Sequence, residues 1–213
     1  MKLSDPGAFF KVVRSQALLS DLSQAEVDGC NAILTACGAA GFSVDFTAYC
    51  LATAFHETAG TMQPISEYGG PSYFTRMYDI QGSRPAKARE LGNIAAGDGA
   101  KFFGRGYVQL TGKRNYAFAT TKLRATGTLA ASEDLVATPE LAKRIDVAAE
   151  VMVLGMRDGW FTGRKLSDDL TDSAGSLMAF SRSRDIINGT DKADKIAHEA
   201  VDFYLALVAG GWS

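Results

Sequence analysis

Lys101-Phe102-Phe103-Gly104-Arg105-Gly106-Tyr107-Val108-Gln109-Leu110-Thr111-Gly112 stands apart from the rest of this 213-residue chain. Residues 101–111 carry its clearest β signal: aromatic and β-branched residues without helical spacing. Gly104 and Gly106 mark a bend or a close backbone approach there. The segment before it, residues 61–100, is rich in Gly, Pro, Ser and Tyr and has few apolar runs. So long a stretch without periodicity is usually functional or disordered. Its aromatics Tyr68, Tyr73, Phe74 and Tyr78 argue against disorder, and residues 84–91 fit one short helix.

Outward from this centre the pattern is helical. Asp5-Pro6 reads as an N-cap with proline in the first turn, opening an amphipathic helix through residues 9–14. Ser23 and Glu26 form a capping-box pattern, and Val27, Cys30, Ile33 and Leu34 share the face of the helix that follows. Ser43 caps a third helix over residues 44–58, with Leu51, Ala54 and Phe55 as its buried stripe and Gly60 as its stop. Beyond Thr111, helices are expected after residue 112, from Pro139 through 158, over 173–181 and over 192–208. The expected fold class is mainly α with one small β element. There is no internal repeat or linker, so residues 1–213 read as a single domain with residues 1–42 as its N-terminal helical part.

Composition sets further bounds. Hydrophobic residues make up 46% and charged residues 22%, enough for a core without disulfides or metal. The formal net charge of −2 argues against a nucleic-acid partner and leaves any work on an anionic wall to local basic clusters. The three cysteines, Cys30, Cys37 and Cys50, read as small buried hydrophobes. A helix would hold Cys30 and Cys37 roughly 10 Å apart, too far for a bridge. The N-terminus has no signal-peptide pattern, and no apolar run is long enough to span a bilayer. The expectation is synthesis in a cytoplasm as a monomer, with a pore or another route of release if the substrate lies outside.

Several residues are candidates for chemistry. Glu57 falls in the last turn of its helix, where the negative end of the macrodipole and apolar neighbours such as Phe55 and Met62 favour a protonated carboxyl. That suits a general acid; on spacing alone, an ordinary surface glutamate fits as well. Glu67, ten residues on in a loop before Gly69-Gly70, offers the second carboxylate that glycoside hydrolysis needs. Zinc is not expected: His-Glu-x-x-His would need a histidine where Gly60 stands, and His198 is the only other histidine. His56 is read as an anchor for the turn. Gly104-Arg105-Gly106 lacks the phosphate-loop pattern. Gln109, Thr111 and Asn115 nearby are uncharged groups that suit either a sugar or the polar edge of a plain hairpin. Ile187-Asn188-Gly189 reads as a turn.

Taken together, His56-Glu57-Thr58-Ala59-Gly60, the run from Lys101 to Gly112, Asn115-Tyr116 and Ile187-Asn188-Gly189 resemble the signature segments of glycoside hydrolase family 19. That family includes plant-type chitinases and bacteriophage endolysins of the lysozyme-like superfamily. Order and spacing fit over residues 45–205, and the N-terminal region resembles the helical start of phage-encoded members. The resemblance implies a lysozyme-like helical bundle with a small β hairpin lining a substrate cleft.

It also implies roles. Glu57 matches the general acid, Glu67 the base that activates water, and Thr111 the residue whose hydroxyl helps hold that water. Gln109 and Asn115 match sugar-binding positions, His56 and Tyr107 are placed with them, and Asn188 matches the asparagine that lines the cleft. Lys195 falls where members often carry arginine, keeping the charge but losing the planar fork. Many endolysin-type members place the second carboxylate nine residues after the first; here that position is Ser66, one before Glu67, and Asp98 is the fallback.

The implied reaction is inverting hydrolysis of β-1,4 bonds between amino sugars, without cofactor, with carboxyl groups about 6.5–9.5 Å apart. Peptidoglycan is the expected polymer and chitin the alternative. A lytic transglycosylase or an inactive lysozyme-like binding protein are further alternatives.

Overall fold

Polar caps fix where the first helices begin. Asp5 accepts the Ala8 N–H at 2.9 Å and Pro6 occupies the first turn of α1 (Pro6–Ser15). Ser23 and Glu26 complete a reciprocal capping box at the start of α2 (Gln24–Ala39). Ser43 accepts the Phe46 N–H at 3.3 Å and starts α3 (Val44–Glu57). These starts are the ones their sequence signals predict. The computed structural model describes residues 1–16, 18–19, 22–187 and 189–213.

Downstream lie α4 (Pro71–Tyr78), α5 (Pro85–Glu90), α6 (Asp98–Lys101), α7 (Lys113–Thr126), α8 (Ile145–Asp158), α9 (Leu177–Arg182) and α10 (Ala193–Ala209). Two-residue strands β1 (Ile65–Ser66) and β2 (Arg105–Gly106) pair antiparallel, Ile65 opposite Gly106 and Ser66 opposite Arg105. The chain is therefore mainly α with a small antiparallel β element, as expected. No described helix is long and apolar enough to cross a membrane.

The chain divides into two compact units. The first comprises residues 1–63 and 152–213. Here α10 packs on α3, α9 and α1, and α2 packs on α3. Phe9, Ile33, Cys37, Tyr49, Leu51, Phe180 and Phe203 are buried in it. Residues 1–42 thus supply two of its packed helices. The chain ends are tied together: Lys2 N donates to Ser213 O at 2.9 Å, and the buried Trp212 donates Nε1 to Phe42 O at 2.9 Å. All three cysteines are free and buried.

The second unit, residues 64–151, holds the strand pair, α4 to α7 and the start of α8. Its hub is Arg105. The guanidinium lies 3.7 Å from the Phe103 ring centroid and donates to Glu140 Oε1, Lys101 O, Phe103 O and Tyr116 Oη at 2.8–3.2 Å. Every partner is an acceptor, so the charge of the buried cation is met by oxygens through Nε and Nη1.

Three local expectations change. The β signal of residues 101–111 becomes a two-residue strand closed by a turn, because Gly106 (φ +92°) and Gln109 (φ +53°) fold the backbone back so that Arg105 and Leu110 exchange hydrogen bonds. The helix expected from Pro139 to 158 is broken at Arg144, whose extended backbone (ψ 130°) separates a 3-10 helix, Pro139–Lys143, from α8. The helix expected over 173–181 starts late, at Leu177, because the Asp45 carboxylate accepts from Ser173 Oγ and from Gly175 N and draws that stretch into a loop. In addition, α4 forms within the segment read as irregular. Pro71 opens it, and Phe74 is buried and stacks on Phe103 with centroids 4.2 Å apart.

Candidate functional site

The first unit carries His56 and Glu57 on the last turn of α3. Thr58 caps that end: its hydroxyl donates to Ala54 O at 2.7 Å and accepts from Met62 N at 3.0 Å. Ala59 (φ +51°) and Gly60 (φ +85°) then reverse the chain, and Gly60 N closes on Phe55 O at 2.8 Å. Met62 is fully buried, seated against Gly29, where even one added carbon would meet Met62 O at 1.9 Å. The turn behind Glu57 is therefore held by packing as well as by hydrogen bonds.

Glu57 Oε1 accepts from Arg184 Nη1 at 2.8 Å. The Arg184 side chain is 5% exposed and that of Glu57 25%. Arg184 sits in the 3-10 helix Ser183–Ile186 and also donates Nε to Asp191 O at 3.0 Å. His56 Nδ1 lies 3.3 Å from Glu199 Oε2 on α10, an ion-pair distance with no aligned hydrogen bond at that oxygen among the described residues. Lys195 Nζ is 3.8 Å from Glu199 Oε1 and extends into solvent. Burial pushes the Glu199 carboxyl up to about 6, against the pull of Lys195. Burial also lowers His56, against the pull of Glu57 and with help from Lys195 and Arg184. Both partners lean towards their neutral forms, so desolvation outweighs their mutual attraction. His56, Glu57 and Lys195 thus fall in one network with Arg184 and Glu199. Asn188 lies outside the described residues.

The second unit carries Glu67, directly after β1. Its backbone N–H donates to Gly104 O at 2.8 Å, continuing the strand pairing. Its carboxylate takes two donors: Tyr78 Oη to Oε1 at 2.7 Å and Gly104 N to Oε2 at 3.1 Å. Thr111 Oγ1 donates to Gln109 O at 2.8 Å, and Asn115 Nδ2 donates to Thr111 O at 2.7 Å. Gln109 spends its amide on the backbone, donating Nε2 to Gly106 O at 3.1 Å and Ile65 O at 3.4 Å. It braces the strand pair at a positive φ, a backbone state that non-glycine residues seldom adopt.

Two candidates take structural places. Tyr107 is fully buried, so its ring belongs to the core and is not offered to a sugar, contrary to expectation. Asp98, the fallback carboxylate, opens α6, where its side chain accepts from Ala95 N at 3.0 Å and lies 3.4 Å from Lys113 Nζ. It organises the turn before Gly104.

Three contributors were not singled out by sequence. Arg184 carries no motif of its own, Tyr78 is one aromatic among several, and Glu199 is one polar residue of the last helix. Among the described residues, no group of three or more His, Cys, Asp or Glu side chains is placed to hold a metal ion. In comparisons with known proteins, no family model matches the chain and no curated protein matches it significantly.

Proposed function

We propose that the chain is an endolysin-type glycoside hydrolase that cleaves β-1,4 bonds between amino sugars of peptidoglycan by inverting acid–base catalysis. The reading starts from the family 19 resemblance of its signature segments. The observation that carries it furthest is the setting of Glu67. Both of its oxygens accept hydrogen bonds from fixed donors, the pattern an acceptor-only carboxylate takes. A carboxylate gripped by one donor on each oxygen has its remaining lone pairs aimed in fixed directions, which suits a base that removes a proton from water.

In this mechanism Glu57 protonates the glycosidic oxygen as the bond to the anomeric carbon breaks. Water attacks the opposite face of the sugar and gives its proton to Glu67. Thr111 donates its hydroxyl hydrogen to Gln109 O, which leaves its oxygen to accept from that water. Glu57 has to carry a proton before each turnover. Taking one up turns its ion pair with Arg184 into a hydrogen bond from the guanidinium to a neutral carboxyl, so Arg184 serves to place the side chain between turnovers.

A chitinase is the second reading, favoured by the net charge of −2, which suits a neutral polymer better than an anionic wall. Mass spectrometry of products from purified peptidoglycan and from chitin oligomers separates the two. Glu57→Gln is expected to abolish cleavage of either polymer. Glu67→Gln is expected to do the same, and full activity in that variant would rule out a water-directing role for Glu67 and favour transglycosylation.

A further inference from the structure

We infer that Tyr78 is a positioning residue that fixes the carboxylate of Glu67 for its work on water, a role that rests on the reading of Glu67 proposed above. Tyr78 ends α4, and that helix end is held from several sides. Asp79 N donates to Thr75 O at 3.1 Å. The buried Asp79 carboxylate accepts from the backbone N–H groups of Gln81, Gly97 and Gly99 at 3.0, 2.9 and 3.0 Å. Burial alone would raise this carboxyl, but the three donors outweigh it and hold it below the ordinary aspartate value. Asn93, fully buried, donates to Tyr78 O at 2.9 Å and accepts from Lys113 N at 2.9 Å. The backbone from which the Tyr78 ring projects is thus set by α4, the 79–99 loop and the start of α7 together.

The geometry at Glu67 shows what this frame achieves. The terminal torsion of a free glutamate is broad and roughly two-fold. Donors on both oxygens, Tyr78 Oη on one and Gly104 N on the other, remove that freedom. A carboxylate has about four lone-pair sites. The clamp occupies one on each oxygen, leaving the other on each oxygen in a defined direction. Glu67 is only half-buried, so it remains reachable. Burial, together with the carboxylate it serves, pushes the Tyr78 hydroxyl well above the ordinary tyrosine range, so it stays a donor. Gly104 completes the clamp because it has no side chain: a Cβ there would lie 2.8 Å from Gln109 Oε1 and 3.1 Å from Glu67 Oε2.

Tyr78→Phe removes the donor and keeps the ring. On soluble fragments of whichever polymer the parent cleaves, kcat is expected to fall about ten- to a hundredfold, the rate equivalent of one hydrogen bond to a charged group. KM should stay within about twofold, since only the chemical step uses the clamp. A proton NMR experiment that needs no turnover accompanies this: a hydrogen-bonded phenol resonance present in the parent should vanish in Tyr78→Phe and move in Glu67→Gln. Parental kcat in Tyr78→Phe beside an inactive Glu67→Gln would overturn the positioning role alone, as would a loss confined to KM or the lack of any such resonance. Parental activity in Glu67→Gln would overturn the reading of Glu67 itself, and the clamp with it.

Discussion

Arg184 Nη1 reaches Glu57 Oε1 at 2.8 Å, joining the 3-10 helix that precedes Gly189 to the last turn of α3. The contact makes the proposed proton donor one half of an ion pair whose cation is almost wholly buried. Arg184→Met leaves Glu57 without its partner and Asp191 O without a donor. The expected cost is about 1–3 kcal/mol of stability, the range for stranding a hydrogen-bonded buried group. Arg184→Lys keeps the charge but cannot serve both acceptors with one planar fork, so its kcat should fall by about tenfold or more with a smaller stability loss. Urea unfolding alongside steady-state kinetics checks both, and parental kcat in Arg184→Lys would show that the fork does not matter.

Gly104→Ala tests the closeness of the Glu67 clamp from the backbone side. The added methyl would press on Gln109 Oε1 and Glu67 Oε2 at the distances given above, and both belong to side chains that can shift. The fold is therefore expected to survive with an unchanged circular dichroism spectrum. Displacing the carboxylate by even a few tenths of an ångström should lower kcat about tenfold or more. An active Gly104→Ala enzyme would mean that Glu67 tolerates movement.

Gly29→Ala should destabilise the protein although alanine is the better helix former by about 1 kcal/mol. The new carbon would lie 1.9 Å from Met62 O, a backbone atom of the turn that follows Glu57. Overpacking of this kind costs about 1–3 kcal/mol or more, so the net change should be a clear loss of melting temperature. A neutral or stabilising result would show that the turn can move away from α2.

Glu199 makes stability depend on pH. Its folded value, about 6, lies above its ordinary value of 4.5, so the folded state binds the extra proton in between. The stability this provides is fully present below about pH 4.5 and is lost as pH rises through about 6. Glu199→Gln removes the burial of charge and should be more stable than the parent at pH 7.5, by on the order of 1–2 kcal/mol. At pH 4 the two should converge. Denaturant titrations at both pH values decide this, and equal stability at pH 7.5 would mean that Glu199 is not strained by its burial.

Much of the helical framework could be read directly. Asp5, Ser23 and Ser43 are local signals, since each cap depends on residues within one turn, and the structure places their helices as expected. The missed features depend on contacts distant in sequence. Asp45 reaches Ser173 and Gly175 and delays α9; Phe74 finds Phe103 and gives α4 a reason to form. The same division holds at the candidate site. Glu57 and Glu67 were visible through residue type and resemblance. Arg184 and Tyr78 were not, because each acts on a carboxylate 127 or 11 residues away and carries no local mark of that partnership. Tyr107 shows the opposite error, where a position within a recognisable motif proves to be core.

Proton NMR of the first products released from a soluble β-1,4-linked amino-sugar oligomer tests the catalytic proposal most directly. Inverting hydrolysis by Glu57 and Glu67 predicts new reducing ends that appear first as the α-anomer and then mutarotate. Initial release of the β-anomer would contradict inversion, anhydro-sugar ends would contradict attack by water, and no new ends from either polymer would contradict glycoside hydrolysis itself.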